Sequence, residues 1–269
     1  MDLFDSHLHL DDAAFASDRD SVVTRAAAAG VMGMTTVGTN VASSRAAVAL
    51  AERFSMVYAA VAIHPHEAGD ATPEAMRELR EMAAHPKVAA VGETGLDFAE
   101  HDASREVQRR AFVEHIRLSR ELSLPLIIHC REAFAEVLEI LERQQATRVI
   151  MHAFSGSVEV AARCVAKGYY VSLAGPVTFR NARTAAQVAQ EIPLETLLVE
   201  TDAPVLTPEP FRGRRNEPAY LRHIVQRIAE LRGREPEEIA AATAANARRV
   251  FGVKAEDGSS DPTDANTQQ

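Results

Sequence analysis

Cysteine is scarce. Cys130 and Cys164 are the two in 269 residues, and they stand at no metal-ligand spacing. That excludes a disulfide framework and fits a reducing compartment, so a cytoplasmic location is expected. No apolar run reaches the length of a bilayer span, so no membrane association is expected. The N-terminus lacks a basic segment followed by an apolar one, and no secretory leader is expected. Positive charge is in deficit as well. Against 38 Asp and Glu there are 29 Lys and Arg, a formal net charge of -9. This argues against a broad surface that grips duplex nucleic acid non-specifically, and leaves room for a small phosphate site.

What is present is an ordinary globular composition, 46% hydrophobic and 25% charged. A chain this long buries most of its unfolded surface and needs no staples. Short aliphatic or β-branched runs recur along it: Leu3–His9, Met34–Thr39, Val57–Ile63, Val88–Glu93, Pro125–His129, Arg148–His152, Tyr169–Leu173 and Leu197–Thr201. They show little polar alternation, as expected of parallel strands buried on both faces. Helical stretches lie between them: Arg19–Ala29, Ser43–Arg53, Pro73–Ala83, Arg105–Leu122, Glu132–Gln144, Val158–Lys167 and Ala182–Glu191. Gly30 and Gly168 supply stop signals, and Thr72-Pro73 a start. Two more helices, Pro218–Arg232 and Pro236–Val250, close the pattern.

Eight strands, each followed by a helix, is the count of the (β/α)8 TIM barrel, an α/β fold in a single domain. A doubly wound open sheet is the competitor, but it rarely needs eight strands. Residues 1–254 are therefore expected to form the barrel. Residues 255–269 are rich in Asp, Ser, Thr and Gln without apolar period, and are expected to be a disordered tail.

Catalytic groups of such barrels sit at the C-terminal ends of the strands. Strand 1 ends with His7 and His9. As alternate residues they share a face, about 7 Å apart along the strand, a pincer suited to a metal. Strand 3 ends in His64, strand 4 in Glu93 to Asp97, strand 5 in His129-Cys130-Arg131, strand 6 in His152, and strand 8 in Glu200-Thr201-Asp202. Sorted by chemistry, these give a two-metal site. His7, His9 and Asp202 hold one ion, His129 and His152 the second, and the two oxygens of Glu93 bridge them. Nitrogen and carboxylate donors suit two divalent ions such as Zn, Mn or Mg. Such a pair activates a water for attack, and Asp202 is placed to take its proton.

With those residues in hand, the chain resembles the TatD family of metal-dependent deoxyribonucleases among the amidohydrolase-like barrels. The likeness is carried by Asp5-Ser6-His7-Leu8-His9, Ile63-His64-Pro65-His66, Gly92-Glu93-Thr94-Gly95-Leu96-Asp97, the run from Leu124 to Arg131, His152-Ala153-Phe154-Ser155-Gly156, Glu200-Thr201-Asp202-Ala203-Pro204, and the run from Arg212 to Pro218. It covers residues 1 to 253. The resemblance implies a two-metal phosphodiesterase, a 3′-to-5′ exonuclease acting on single-stranded DNA or RNA ends, with His7, His9, Glu93, His129, His152 and Asp202 as ligands. By default from the family a monomer is expected, and no obligate protein partner is inferred. His115 stands where the family often has Gln.

Around the metals, His64 is a candidate catalytic and substrate-binding group, donating to a phosphate oxygen or leaving group. Arg131 is a candidate phosphate fork. Its alternative is a first-turn residue paired with Glu132. Arg212, Arg214 and Arg215 are a basic cluster fit to track a strand backbone, or else a solvated loop. Asn216 is expected to fix that loop or cap the next helix. His85, His101, His115 and His223 are read as structural or solvated, and Cys130 as facing the barrel shell. Two other functions are compatible with the pattern. One is a metal-dependent carboxyl-ester or amide hydrolase, such as an aminoacyl-tRNA deacylase; the other is a metal-binding scaffold without turnover.

Overall fold

The computed structural model describes residues 1–99 and 103–254. Eight parallel strands stand in sequence order: β1 (Leu3–Leu8), β2 (Val31–Val37), β3 (Val57–Val61), β4 (Val88–Asp97), β5 (Leu126–Arg131), β6 (Val149–Met151), β7 (Tyr170–Leu173) and β8 (Leu197–Val199). Outside them lie α1 (Arg19–Ala28), α2 (Val41–Arg53), α3 (Pro73–Ala83), α4 (Arg105–Leu122), α5 (Phe134–Arg143), α6 (Val158–Ala166), α7 (Arg183–Glu191), α8 (Leu221–Arg232) and α9 (Pro236–Phe251). This is the single (β/α)8 barrel expected from the alternation. The expected tail, residues 255–269, lies outside the described residues. Among the described residues, no helix is long and apolar enough to cross a membrane.

Most element ends follow local chemistry. Gly30 and Gly168 adopt φ of 90° and 76° just past α1 and α6, the left-handed stop their positions predict. Thr72 accepts a hydrogen bond from Ala75 N–H and starts α3, with Pro73 in its first turn. Three helix starts differ from the sequence pattern by two residues or more. Helix α2 begins two residues early because Asn40 caps it, accepting from Ser43 N–H while the Ser43 hydroxyl accepts from Asn40 N–H. Helix α5 begins at Phe134, because β5 runs on through Arg131 and Glu132 turns the chain at φ 54°. Residues Pro218–Tyr220 form a separate 3-10 turn before α8.

Strand β4 is four residues longer than its apolar run. It pairs with β5 as far as Asp97 beside Arg131. Gly95 permits this close approach: a Cβ there would lie 2.0 Å from the His129 carbonyl oxygen.

Two apolar layers result. One packs the strands against the outer helices. The other fills the barrel with Phe4, Val37, Ala60, Ala90, Ile127, Ile150 and Leu198, from every strand but β7. Helix α9 plugs the lower end, where the Phe251 ring stacks on Phe4 at 5.7 Å. The plug leaves the upper mouth as the open end.

The barrel closes between β8 and β1 just above the apolar layers. Asp202 N–H donates to the His7 carbonyl at 2.9 Å, and His9 N–H to the Ala203 carbonyl at 2.8 Å. The buried Asp5 carboxylate accepts from Thr201 N–H at 2.9 Å and from the Thr201 hydroxyl at 2.5 Å. Burial pushes the Asp5 carboxyl up to about 8 even against those two donors.

Candidate metal centre

All six expected ligands meet at the open mouth. They line one cleft of about 740 Å³, together with His64, His66, Asp97 and Arg131, apart from His7, which lies beneath it and is almost wholly buried. Strand direction explains the gathering. On β5 and β6, Ile127 and Ile150 point into the barrel, so His129 and His152, two residues further on, point the same way above them. Cys130 alternates with His129 and packs in the outer apolar layer, and burial pushes its thiol up to about 12. Strand β8 ends at Val199, so Asp202 sits in the loop that follows, at φ 54°, a conformation Asp tolerates better than most residues.

Glu93 is the centre of the cluster. Its Oε2 lies 3.3 Å from His7 Nε2 and 3.9 Å from His9 Nε2. Its Oε1 lies 2.7 Å from His129 Nδ1, 3.5 Å from His152 Nε2 and 3.6 Å from His64 Nε2. Asp202 Oδ1 is 3.5 Å from His9 Nε2, 3.7 Å from His7 Nε2 and 3.9 Å from His152 Nε2. The two imidazoles of β1 approach to 3.3 Å through their Nε2 atoms.

These spacings fit a metal. Four donors about 2.1 Å from one ion in a tetrahedron stand about 3.4 Å from one another. His7, His9, Asp202 and Glu93 Oε2 lie near that spacing. The electrostatics fit as well. Burial lowers His9, His129 and His152, yet the surrounding carboxylates overcome it and raise them to about 9, 9 and 10. Burial likewise raises Glu93 and Asp202, but the imidazoles hold both carboxyls below their ordinary range. The pocket therefore demands positive charge, which a divalent cation supplies. His7 is held neutral by burial and by His152, the form in which imidazole ligates.

Two carboxylates stand behind the ligands. Asp97 Oδ2 is 2.9 Å from His129 Nε2 and 3.0 Å from His66 Nε2. Glu200 Oε1 is 2.8 Å from His152 Nδ1, and the same carboxylate oxygen accepts from Ala153 N–H at 2.5 Å. Asp97 hydrogen-bonds the His129 nitrogen that faces away from Glu93, leaving Nδ1 for an ion, and Glu200 sets its charge beside the His152 nitrogen that faces away from the cluster. Sequence reasoning gave neither residue a role. Their one signal was position, since Asp97 and Glu200 close the same segments as Glu93 and Asp202.

The remaining candidates divide. His64 is at the cluster, its Nδ1 accepting from His66 N–H at 3.2 Å and its ring 4.5 Å from that of His129. Burial lowers its pKa. Arg131 stands exposed on the cleft wall. Arg212 and Arg214 are exposed, whereas Arg215 pairs with Asp18 at 2.7 Å and lies over the Phe15 ring. Asn216 is fully buried and holds the loop carrying Asp202, donating to the Thr201 and Val205 carbonyls at 2.8 and 2.7 Å. His115 is buried and structural: Nε2 accepts from Ile63 N–H at 3.0 Å, and Nδ1 lies 2.7 Å from the Ala111 carbonyl. His85 pairs with Glu52, and His223 packs on Phe211. His101 lies outside the described residues.

A closed α/β barrel with this donor set at its mouth defines a metal-dependent hydrolase. The profile of the family described as "TatD related DNase" matches residues 4–252, and the chain belongs to that family. It is 42% identical to "Uncharacterized metal-dependent hydrolase YabD" of Bacillus subtilis, over 93% of this chain and 99% of the relative. It is 39% identical to "3'-5' ssDNA/RNA exonuclease TatD" of Escherichia coli K12, again over 93% and 99%. The crystal structure of YJJV, a TatD homolog from Escherichia coli K12, superposes with a TM-score of 0.89 at 32% identity, covering 94% of this chain and 98% of that one.

Proposed function

We propose that the chain is a two-metal phosphodiesterase that removes nucleotides from the 3′ end of single-stranded DNA or RNA. The observation that carries the reading is the division of Glu93. One oxygen faces His7 and His9, the other faces His129, His152 and His64. One carboxylate thus belongs to two donor sets. His7, His9 and Asp202 would hold one divalent ion and His129 and His152 the other, with Zn, Mn and Mg all suited to the donors. The relatives named as 3′-5′ exonucleases on single-stranded DNA and RNA match nearly end to end and support the substrate class.

Bound there, the ions would supply Lewis acidity, lowering the pKa of the attacking water and neutralising charge on phosphorus. The protein does the rest. Asp202 is the base, its carboxyl kept ionised by His152, His9 and His7 despite burial. His64 points Nε2 toward the centre and meets a phosphate oxygen or the leaving group. Arg131 takes a second phosphate oxygen from the cleft wall. Arg212 and Arg214 face the strand backbone, while Arg215 braces their loop against Asp18.

The test uses single-stranded DNA labelled at its 5′ end. Shortening from the 3′ end, stopped by EDTA and by Glu93→Gln or Asp202→Asn with the fold intact, is the expected result. Undiminished shortening by either variant overturns the assignment. So does a wild-type preparation that cleaves an aminoacyl ester and leaves the oligonucleotide whole.

A further inference from the structure

Beside the metal cleft lies a second cavity, of about 240 Å³, between the segment after β6 and the start of α7. The two share a wall made by Ala153, Ser155, Pro176 and Leu206. Its depth is apolar, lined by Phe154, Leu173, Val177, Ala182 and Ala185, and Asn181, Arg183 and Thr184 line it as well. Drug-sized ligands occupy roughly 300–1,000 Å³, so this space suits one planar ring system and not a whole nucleotide.

The cavity is preformed. Gly175 presses against the loop after β8 so closely that a Cβ would sit 1.8 Å from the Leu206 carbonyl oxygen. Glu209 N–H donates to the Thr178 hydroxyl at 2.9 Å and ties the same two loops a second time. Phe154 is braced by the Phe134 ring at 5.3 Å.

The segments that flank it, residues 175–185 and 206–214, carry four arginines against one carboxylate, Glu209. Arg180, Arg183, Arg212 and Arg214 are exposed and, among the described residues, make no ion pair, in a chain whose net charge is -9. The Arg212 guanidinium lies over the Phe179 ring, 4.2 Å from its centroid. Apolar space for a ring, bordering the cleft and flanked by unpaired guanidinium groups, is complementary to a single strand whose bases are unstacked and whose phosphates are anionic.

We propose that this cavity seats one nucleobase of the bound strand, next to the nucleotide being removed, with Arg183 and Arg212 taking the flanking phosphates. The proposal rests on the nuclease reading above and names a subsite for it. A seated base fixes the strand's approach to the metals, so the subsite acts on kcat/KM.

The experiment is an abasic scan. Single-stranded thymidine oligomers each carry one tetrahydrofuran residue at a successive position from the 3′ end, and kcat/KM is measured for each. Wild type is expected to lose roughly tenfold at one position within the last few nucleotides, the scale of one lost base contact. Ala185→Trp, which fills the cavity, is expected to flatten that dip to less than about threefold, because the intact base no longer gains anything there. Asn181→Trp serves as the second obstruction if Ala185→Trp fails to fold by circular dichroism. Arg183→Glu is expected to reduce the salt dependence of kcat/KM by about one charge. A flat scan on active wild type, or a dip that survives both tryptophan variants, overturns the subsite alone. No cleavage of any oligomer by wild type overturns the nuclease reading, and the subsite with it.

Discussion

His7 and Asp202 are joined twice. The Asp202 N–H donates to the His7 carbonyl at 2.9 Å, and their side chains stand 3.7 Å apart at Nε2 and Oδ1. The first contact closes the barrel between β8 and β1. The second belongs to the donor cluster. Closure of the fold and assembly of the site are therefore one structural event, and damage to the seam should reach the metal.

Thr201→Val tests that link. It removes the hydroxyl that donates to buried Asp5 at 2.5 Å and leaves the carboxylate short of a partner. A buried polar group that loses a hydrogen-bond partner costs about 1–3 kcal/mol. The variant is expected to unfold at lower urea concentration by that amount and to bind divalent ions more weakly, by calorimetric titration. Unchanged metal affinity in the destabilised variant would separate seam from site.

Asp97→Asn and Glu200→Gln test the two carboxylates behind His129 and His152. Each keeps the shape and loses the charge that orients a ring. Loss of such support typically costs about 10–100-fold in metal affinity. Equilibrium dialysis against zinc or manganese should show one weakened ion in each variant, with the other retained.

His115 gives a pH prediction. Burial pushes its imidazole down from 6.5 to about 4. The unfolded chain therefore binds the proton more readily, and the group's stabilising contribution is complete above pH 6.5. It is lost as pH falls toward 4, by about 3 kcal/mol for a shift of that size. His115→Gln keeps a donor and an acceptor and does not titrate. With metal stripped by EDTA, the wild type should lose about 3 kcal/mol more than the variant between pH 7 and pH 4, by urea unfolding at each pH.

Metal removal should lower thermal stability. Ions bound to the folded chain alone stabilise it by about 2.7 kcal/mol at a hundredfold excess over Kd. The melting temperature should rise with zinc or manganese in wild type and stay flat in Glu93→Ala, which loses the carboxylate facing both halves of the cluster. A melting temperature insensitive to every divalent ion tested would contradict the donor assignment.

The barrel and its strand ends were legible because burial leaves a local mark. A strand covered on both faces reads as an uninterrupted aliphatic run, and the point where Val88 to Val91 gives way to Gly92 and Glu93 marks the mouth. Helix ends at Gly30, Gly168 and Thr72 were legible for the same reason, since caps act over a few residues. Arg215 was not. It faces Asp18, 197 positions away, and no local pattern distinguishes it from Arg212 or Arg214. The cavity beside the cleft was equally hidden, because its walls come from segments between Ala153 and Leu206 that touch only when the barrel is formed.

By itself, the sequence determined the alternation of strand and helix, the inward or outward parity of each strand residue, and the set of imidazoles and carboxylates at one rim. These follow from short-range periodicity and from the cost of burying a polar side chain away from a partner. Only the tertiary structure decided which nitrogen faces which oxygen: Glu93 shared between two groups of histidines, Asp97 behind His129, Glu200 behind His152. Those pairings depend on strand register, such as Gly95 beside His129, and on the seam where Asp202 meets His7. Register is set by packing across the whole barrel, and no local segment of the chain contains it.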